Sequence, residues 1–164
     1  MKVFIIAALT ADGFIGRSSD HFPDWTGKAD KQFFTEVTKQ AGLMIMGRST
    51  YDTIGRPLPG RKTIVYTSRS IDNHEVETTQ LPPAELLTEL EDQGYNEVAI
   101  CGGQAIYDLF LASGLVDEVY LTIAPVLFGK GLTLAKTEVA VSLKLLDMAK
   151  LDNDTIVAKY KVEK

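Results

Sequence analysis

Cysteine and histidine are scarce in this 164-residue sequence, which contains one Cys, Cys101, and two His. One cysteine cannot form a disulfide within the chain, so nothing in the sequence requires an oxidising compartment. The shortage of both residue types also argues against a zinc site, because structural and catalytic zinc sites take several such ligands. We therefore expect no metal.

Excess positive charge and long hydrophobic runs are also lacking. The chain has 17 Lys and Arg against 22 Asp and Glu, a net charge of −5. This balance disfavours nucleic-acid and anionic-membrane surfaces, which need a basic stripe. The apolar run Val3–Leu9 is too short to span a bilayer, and no signal-peptide cleavage pattern follows it. We expect a cytoplasmic protein without nucleic-acid or membrane partners.

Short apolar runs alternate with helical patterns along the first two thirds of the chain, and 45% hydrophobic residues suffice for one domain over residues 1–164. The predicted strands are Val3–Leu9, Leu43–Met46, Thr63–Tyr66 and Val98–Ile100. The predicted helices are Lys28–Gln40, Ser49–Ile54, Pro83–Asp92 and Gln104–Ser113. Strands that are apolar throughout favour a mostly parallel twisted sheet with helices on both faces.

Beyond residue 115 the pattern changes to strand after strand. Glu118–Ile123, Ser142–Lys150 and Thr155–Val162 are predicted strands, and the last two form a hairpin that adds an antiparallel C-terminal edge. The segment Asp72–Leu81 is predicted to be a polar loop.

Two strand-to-helix corners carry an arginine together with hydroxyl residues. The first is Gly47-Arg48-Ser49-Thr50, and the second is Thr67-Ser68-Arg69 after the next strand. Backbone amides at such corners bind phosphates, and paired arginines suit the 2′-phosphate of NADPH better than the bare ribose of NADH. The structural alternative for the first corner is an exposed arginine with no ligand.

An acidic residue lies beside aromatic residues at the start of the first predicted helix. Trp25 precedes Asp30 by five positions, and Phe34 follows Asp30 by one helical turn on the same face. A carboxylate there could accept paired hydrogen bonds from a ligand. The alternative is a helix N-terminal charge that favours the helix dipole. Asp24 competes for the ligand role, although capping or solvation suits it better.

Three further segments carry candidate residues. Leu58-Pro59-Gly60 forms a turn that presents Arg61, whose alternative is a surface arginine beside Lys62. Cys101-Gly102-Gly103-Gln104 is a glycine-rich corner, a weak signal alone. Ala7 to Gly16 leaves a strand through small residues and reaches two glycines, which suits a lid but equally a simple turn at Asp12-Gly13.

Together these motifs resemble the dihydrofolate reductase family. The resemblance implies that a folate ring contacts the carboxylate of Asp30, that Arg61 binds the carboxylate of the glutamate tail, and that Gly102-Gly103 has a cis peptide bond. The catalytic residues it implies are Asp30, Trp25 and Tyr107. The substrate residues are Ile6, Ala8, Asp30, Lys31, Phe34, Ile54, Leu58, Arg61 and Thr122. The NADPH residues are Ala8, Ile15, Gly16, Gly47, Arg48, Ser49, Thr50, Thr67, Ser68, Arg69, Cys101, Gly102, Gly103, Gln104, Ala105 and Ile106.

The sequence also departs from that family. Ala105 stands where an Arg often occurs, Gln104 where many members have a third Gly, and Lys31 where an apolar residue is usual. The C-terminal third is closer to the reductase domain of riboflavin biosynthesis. We therefore expect NADPH-dependent reduction of 7,8-dihydrofolate to tetrahydrofolate, with reduction of a ribosylamino-pyrimidine as the alternative and a non-catalytic nucleotide-binding module as a remoter one. Monomer and homodimer both stay open.

Overall fold

An eight-stranded sheet forms the centre of the computed structural model, which describes residues 1–164. The strands are β1 Lys2–Thr10, β2 Phe14–Gly16, β3 Leu43–Gly47, β4 Lys62–Tyr66, β5 Val76–Thr79, β6 Glu97–Ile100, β7 Glu118–Ala124, β8 Leu132–Thr133, β9 Ser142–Lys150 and β10 Ile156–Glu163. The helices are α1 Lys28–Ala41, α2 Arg48–Ile54, α3 Pro83–Asp92 and α4 Gln104–Ser113. None of these helices has the length and hydrophobicity that crossing a bilayer requires.

The sheet has the strand order β5-β4-β3-β6-β1-β7-β10-β9. Every pair from β5 to β7 is parallel, whereas β10 runs antiparallel to both β7 and β9. The predicted mostly parallel sheet with an antiparallel C-terminal edge is therefore confirmed. Because parallel strands point the same way, the corners after β1, β3, β4 and β6 all open at one edge of the sheet, where ligands of open α/β sheets bind.

Helices cover both faces of the parallel strands, which is why those strands are apolar throughout. On one face α3 and α4 pack Leu90 and Phe110 against a core that includes Ile5, Ile45 and Ile100. On the other face α1 and α2 cover two smaller clusters around Phe4, Ile6, Met44 and Met46. Helix α1 ends at Gly42, whose φ of 74° is the left-handed conformation that glycine adopts readily.

Three strands were not predicted. The prediction of a loop over Asp72–Leu81 is wrong for β5, where Val76–Thr79 pairs in parallel with β4. Only Val76 of this edge strand is buried, so the segment lacks the apolar run that indicates a buried strand. Strands β2 and β8 pair with each other and are three and two residues long, too short for a periodic signal.

The β2–β8 pair leaves no room for a side chain at Gly131. A Cβ atom there would collide with the carbonyl oxygen of Gly16. We expect Gly131→Ala to lower the free energy of unfolding by about 1 to 3 kcal/mol, as overpacking does, measured by urea denaturation. Gly94→Ala is the contrasting variant, because Gly94 has a φ of 93° but no atom within 4 Å of the place that a Cβ would take, so its loss reports backbone strain alone. Gly131 is not among the glycines with a positive φ, so unchanged stability of Gly131→Ala would contradict the collision.

Candidate active site

Two glycine corners meet at the edge of the sheet where the parallel strands end. The amide of Gly47, after β3, donates to the carbonyl oxygen of Gly102, after β6, at 2.7 Å. A Cβ atom on Gly47 would lie 3.0 Å from Cγ1 of Ile106, and one on Gly103 would lie 3.4 Å from Oγ1 of Thr50. The Gly102-Gly103 peptide is cis, as expected. Bare backbone therefore forms this surface, and a flat or phosphorylated ligand can approach it closely.

Arg48 joins the first corner to the turn after β4. Its Nη1 donates to the carbonyl oxygen of Ser70 at 3.3 Å, while its Nε pairs with Oδ1 of Asp52 at 2.9 Å. Within the turn, the amide of Arg69 donates to Oγ1 of Thr67 at 3.1 Å. The structure thus brings together the two Arg-and-hydroxyl corners. Ser49, Ser68 and Arg69 are exposed there.

The N-terminus of α4 adds unpaired backbone amides to the same edge. Gly103 is its N-cap and supplies no side-chain hydrogen bond. The side chain of Gln104 instead donates to the carbonyl oxygen of Thr133 at 3.0 Å, and Ala105 is exposed. The donors and bare backbone at this edge fit the phosphates of a dinucleotide such as NADPH.

Asp30 is a half-buried acidic group near the start of α1. It lies in the first turn of α1, near the hydroxyls of Thr122 and Thr26. Burial raises the pKa of the Asp30 carboxyl above its ordinary value, and these hydroxyls and the charge of Lys31 offset only part of the shift. Nearby, the buried Nε1 of Trp25 has no partner within the protein. The carboxylate and indole N–H are therefore available to a ligand.

Asp24 lies outside this arrangement. It is exposed, and α1 is capped by Gly27 rather than by an aspartate. A capping role for Asp24 is thus wrong, and a solvated one agrees with the structure.

Tyr107 and Cys101 lie between the two parts of the site. The Tyr107 hydroxyl donates to the carbonyl oxygen of Ile6 at 2.8 Å and lies beneath Gly102, where a Cβ atom would approach it to 3.0 Å. Burial raises the pKa of Tyr107 well above its ordinary value. The same cause raises the pKa of the Cys101 thiol, which is consistent with an inert residue.

Arg61 directly precedes β4, and its side chain contacts α1 on the C-terminal side of Asp30. Its Nη1 donates to the carbonyl oxygen of Thr35 at 3.1 Å and to Oγ1 of Thr38 at 2.6 Å, while its Nε has no partner. The α1 contacts hold one part of the guanidinium and leave the rest of its donors free. Arg61 is therefore not a freely mobile surface side chain.

Four residues of the predicted site are partly buried and pack against the same core cluster: Phe34, Ile54, Leu58 and Cys101. Ala8 of β1 is paired with Thr122 of β7, two residues from the pairing of Ile6 with Tyr120. Lys31 is exposed on α1, with its Nζ 5.8 Å from the centre of the Phe22 ring.

A loop over the cleft is fixed by contacts that were not predicted. The carboxylate of Asp12 accepts the amides of Phe128 and Gly129, the latter at 2.7 Å. The Phe128 ring lies edge-on to Trp25, with centroids 5.1 Å apart, and 4.0 Å from the Arg17 guanidinium carbon. Ile15 and Gly16 belong to β2, which pairs with β8 next to these contacts. The glycines of Ala7–Gly16 suggested a lid here, but no sequence signal indicated its contacts with Phe128 and Gly129.

Comparisons with known proteins agree with this geometry. The sequence model of the family "Dihydrofolate reductase" matches residues 2–132. A dihydrofolate reductase type 3 of Salmonella typhimurium is 34% identical over 127 residues, covering 74% of this chain and 71% of that protein.

Several solved structures share the fold, with TM-scores between 0.79 and 0.84. A dihydrofolate reductase of Enterococcus faecalis, complexed with NADP(H) and RAB-propyl, has a TM-score of 0.79 at 24% identity and covers 99% of this chain and 97% of its own. A pyrimidine reductase-like protein of Corynebacterium diphtheriae also has a TM-score of 0.79, at 16% identity, covering 99% and 92%. From the family match and the site together, this chain belongs to the dihydrofolate reductase family and is an NADPH-dependent oxidoreductase.

Proposed function

We propose that this protein reduces 7,8-dihydrofolate to tetrahydrofolate. The observation that carries the proposal is the order of two charged groups along α1. Asp30 lies in its first turn, and Arg61 is bound at Thr35 and Thr38, about 8 to 12 Å further along the helix axis. A folate has a polar ring at one end and an acidic tail at the other, separated by an apolar benzoyl ring. Its ring can therefore contact Asp30 while its tail contacts Arg61.

Each residue then has a defined part in the reaction. When bound, NADPH would supply the hydride that adds to ring carbon C6, and a water molecule would supply the proton that N5 gains. Asp30 accepts two hydrogen bonds from the ring edge, which fixes its orientation. The indole N–H of Trp25 donates towards the ring, and the Tyr107–Ile6 hydrogen bond holds the floor of the cleft beneath Gly102. The loop fixed by Asp12 and Phe128 limits the access of water.

Phe34, Ile54 and Leu58 would cover the benzoyl ring, and Arg61 would bind the carboxylate of the tail through its free donors. Lys31, one residue after Asp30, offers a second positive charge near the tail. An anionic tail bound in this way stabilises the bound substrate and the transition state equally. It therefore lowers KM and takes no part in the chemistry.

A second candidate is the reduction of a ribosylamino-pyrimidine. At 16% and 24% identity, the Corynebacterium and Enterococcus structures support the shared fold and do not distinguish the two substrates. Such a substrate has no glutamate tail, so it would leave Arg61 without a ligand. Arg61 therefore separates the two candidates.

Replacement of the buried carboxylate tests the ring contact. Asp30→Asn removes one of two acceptor oxygens, so we expect kcat/KM for dihydrofolate to fall about 30- to 1000-fold, as for a lost charge-assisted pair. The NADPH dissociation constant should not change. Asp24→Asn is the matched control and should keep near-normal activity, because Asp24 is exposed. A larger loss in the control would move the role to Asp24.

The same variant should be more stable than the wild type. Burial raises the folded-state pKa of Asp30, so the ionised carboxylate destabilises the folded protein above that pKa. We expect Asp30→Asn to gain about 0.5 to 2 kcal/mol at pH 7. The gain should diminish as the pH falls through the raised pKa towards the ordinary one. Denaturation curves between pH 7 and pH 4 measure it, and a gain independent of pH would contradict the electrostatic cause.

The two arginine corners should set the preference for NADPH. Replacing both Arg48 and Arg69 with Gln leaves a 2′-phosphate without charged partners, whereas NADH has no such group. We expect the dissociation constant of NADPH to rise at least about tenfold more than that of NADH, measured by fluorescence titration. Arg56→Gln, on the exposed turn after α2, is the control. Equal weakening of both cofactors would contradict a 2′-phosphate site.

Arg61→Leu should affect only substrates that carry a tail. We expect KM for dihydrofolate to rise at least about tenfold, the worth of one charge-assisted contact. The kinetics of a tail-less dihydropterin should hardly change. Because Arg61 also binds α1, a thermal unfolding curve is recorded for the variant, and the comparison of two substrates on the same protein cancels any loss of folded enzyme. Equal effects on both substrates would make Arg61 structural.

A further inference from the structure

Strand β9 is an exposed edge that no element of the chain covers. All nine residues of Ser142–Lys150 are exposed, and β9 pairs only with β10. Four of them are large and apolar: Leu143, Leu145, Leu146 and Met148 are between 41% and 61% exposed. A long apolar edge strand with free backbone groups is a template for another strand.

The hydrogen bonds of β10 show which groups of β9 are free. The amide of Val162 donates to the carbonyl oxygen of Asp117, on the β7 side, so even-numbered residues of β10 direct their backbone groups towards β7. The backbone groups of odd-numbered β10 residues therefore face β9. In agreement, the carbonyl oxygen of Thr155, just before β10, accepts the amide of Leu151, just after β9. The β9 residues paired with odd-numbered β10 residues direct their backbone groups towards β10. These partners are Ser142, Lys144, Asp147 and Ala149.

The outward-facing backbone groups of β9 are those of Leu143, Leu145, Met148 and Lys150. The register shift between Lys159 and Tyr160 makes Leu146 an extra residue, so the outward positions are separated by two, three and two residues. The spacing is the same whether it is counted from the N-terminal or the C-terminal end of β9. A strand with such a pattern can pair with an antiparallel copy of itself at all four positions.

We propose that two copies of this protein associate through β9 about a twofold axis and form one continuous sheet. In this dimer Leu145 lies opposite Met148 of the second copy, and Leu143 opposite Lys150. Each opposed pair can exchange two backbone hydrogen bonds. Any other register aligns at most two of the four outward positions, so this register is selected by the bulge. The contact is isologous, as expected for a cyclic dimer.

The side chains of β9 support the same partner. Leu143, Leu145 and Met148 lie opposite Val162, Tyr160 and Ala158 of β10, on the face of the largest core cluster. In the dimer these apolar side chains would meet those of the second copy and be shielded from water.

Charge on the opposite face of β9 favours a second copy as well. Lys144 lies directly opposite Lys161 of β10, a repulsive pair within the chain. In the proposed register Lys144 lies diagonal to Asp147 of the second copy, and the twofold axis makes this contact twice. The second copy thus supplies a counter-charge that the chain itself does not place directly opposite Lys144.

Sedimentation velocity over a range of protein concentrations tests the proposal. We expect a concentration-dependent dimer for the unmodified protein. Met148→Pro removes an amide that β10 does not use, so the variant should fold yet dissociate, with a dissociation constant raised at least about tenfold. Leu127→Lys, at an apolar position that is 73% exposed elsewhere, is the control and should leave the dimer intact.

Lys144→Glu is a second variant, with opposite effects on folding and on dimerisation. Within the chain it replaces the repulsion of Lys161 by attraction, so the melting temperature measured on dilute protein should not fall. Between the copies it places a negative charge near Asp147 of the second copy, so the dimer should weaken. A protein that is monomeric at every concentration would overturn the proposal. So would a dimer that survives both Met148→Pro and Lys144→Glu, because its interface would then lie elsewhere.

Discussion

The hydrogen bond between the amide of Gly47 and the carbonyl oxygen of Gly102 joins the two halves of the cofactor edge. It closes the gap between the corners after β3 and β6 with backbone alone, because neither residue has a side chain. A Cβ atom at either position would meet a neighbouring side chain at 3.0 Å, from Ile106 or from Tyr107. The proposed NADPH surface, the position of the Tyr107 hydroxyl and the start of α4 all adjoin this contact.

The buried carboxylate of Asp30 lowers the stability of the folded protein. The raised pKa of Asp30 means that the folded protein holds the charged form at a cost. Within the chain, the hydroxyls of Thr26 and Thr122 and the charge of Lys31 favour the ionised form and offset only part of the cost of burial. A ligand with two N–H groups on one edge would satisfy the carboxylate better, so the cost and the proposed pterin contact have the same physical origin. Such local conflicts with stability are typical of functional sites.

Sequence reasoning succeeded where burial leaves a strong pattern and failed where structure depends on distant partners. Strands β1, β3, β4 and β6 were predicted because helices cover both of their faces. Strand β5 was missed because Glu77, Thr78 and Thr79 carry no apolar signal. The Asp12–Phe128 contact joins residues more than a hundred positions apart, and no periodicity indicates it. For Arg61 the turn was predictable, but its anchorage on Thr35 and Thr38 was not, since it depends on how α1 packs.

The rate of NADPH oxidation with each of two substrates tests the central claim most directly. Purified protein would be assayed with 7,8-dihydrofolate and, in parallel, with a ribosylamino-pyrimidine, and kcat/KM compared under identical conditions. The account predicts turnover of dihydrofolate with a kcat/KM at least about a hundredfold higher than that of the pyrimidine, a discrimination of the size that paired polar contacts provide. Turnover of the pyrimidine alone would contradict the folate assignment, and it would leave the family and the cofactor site unchanged.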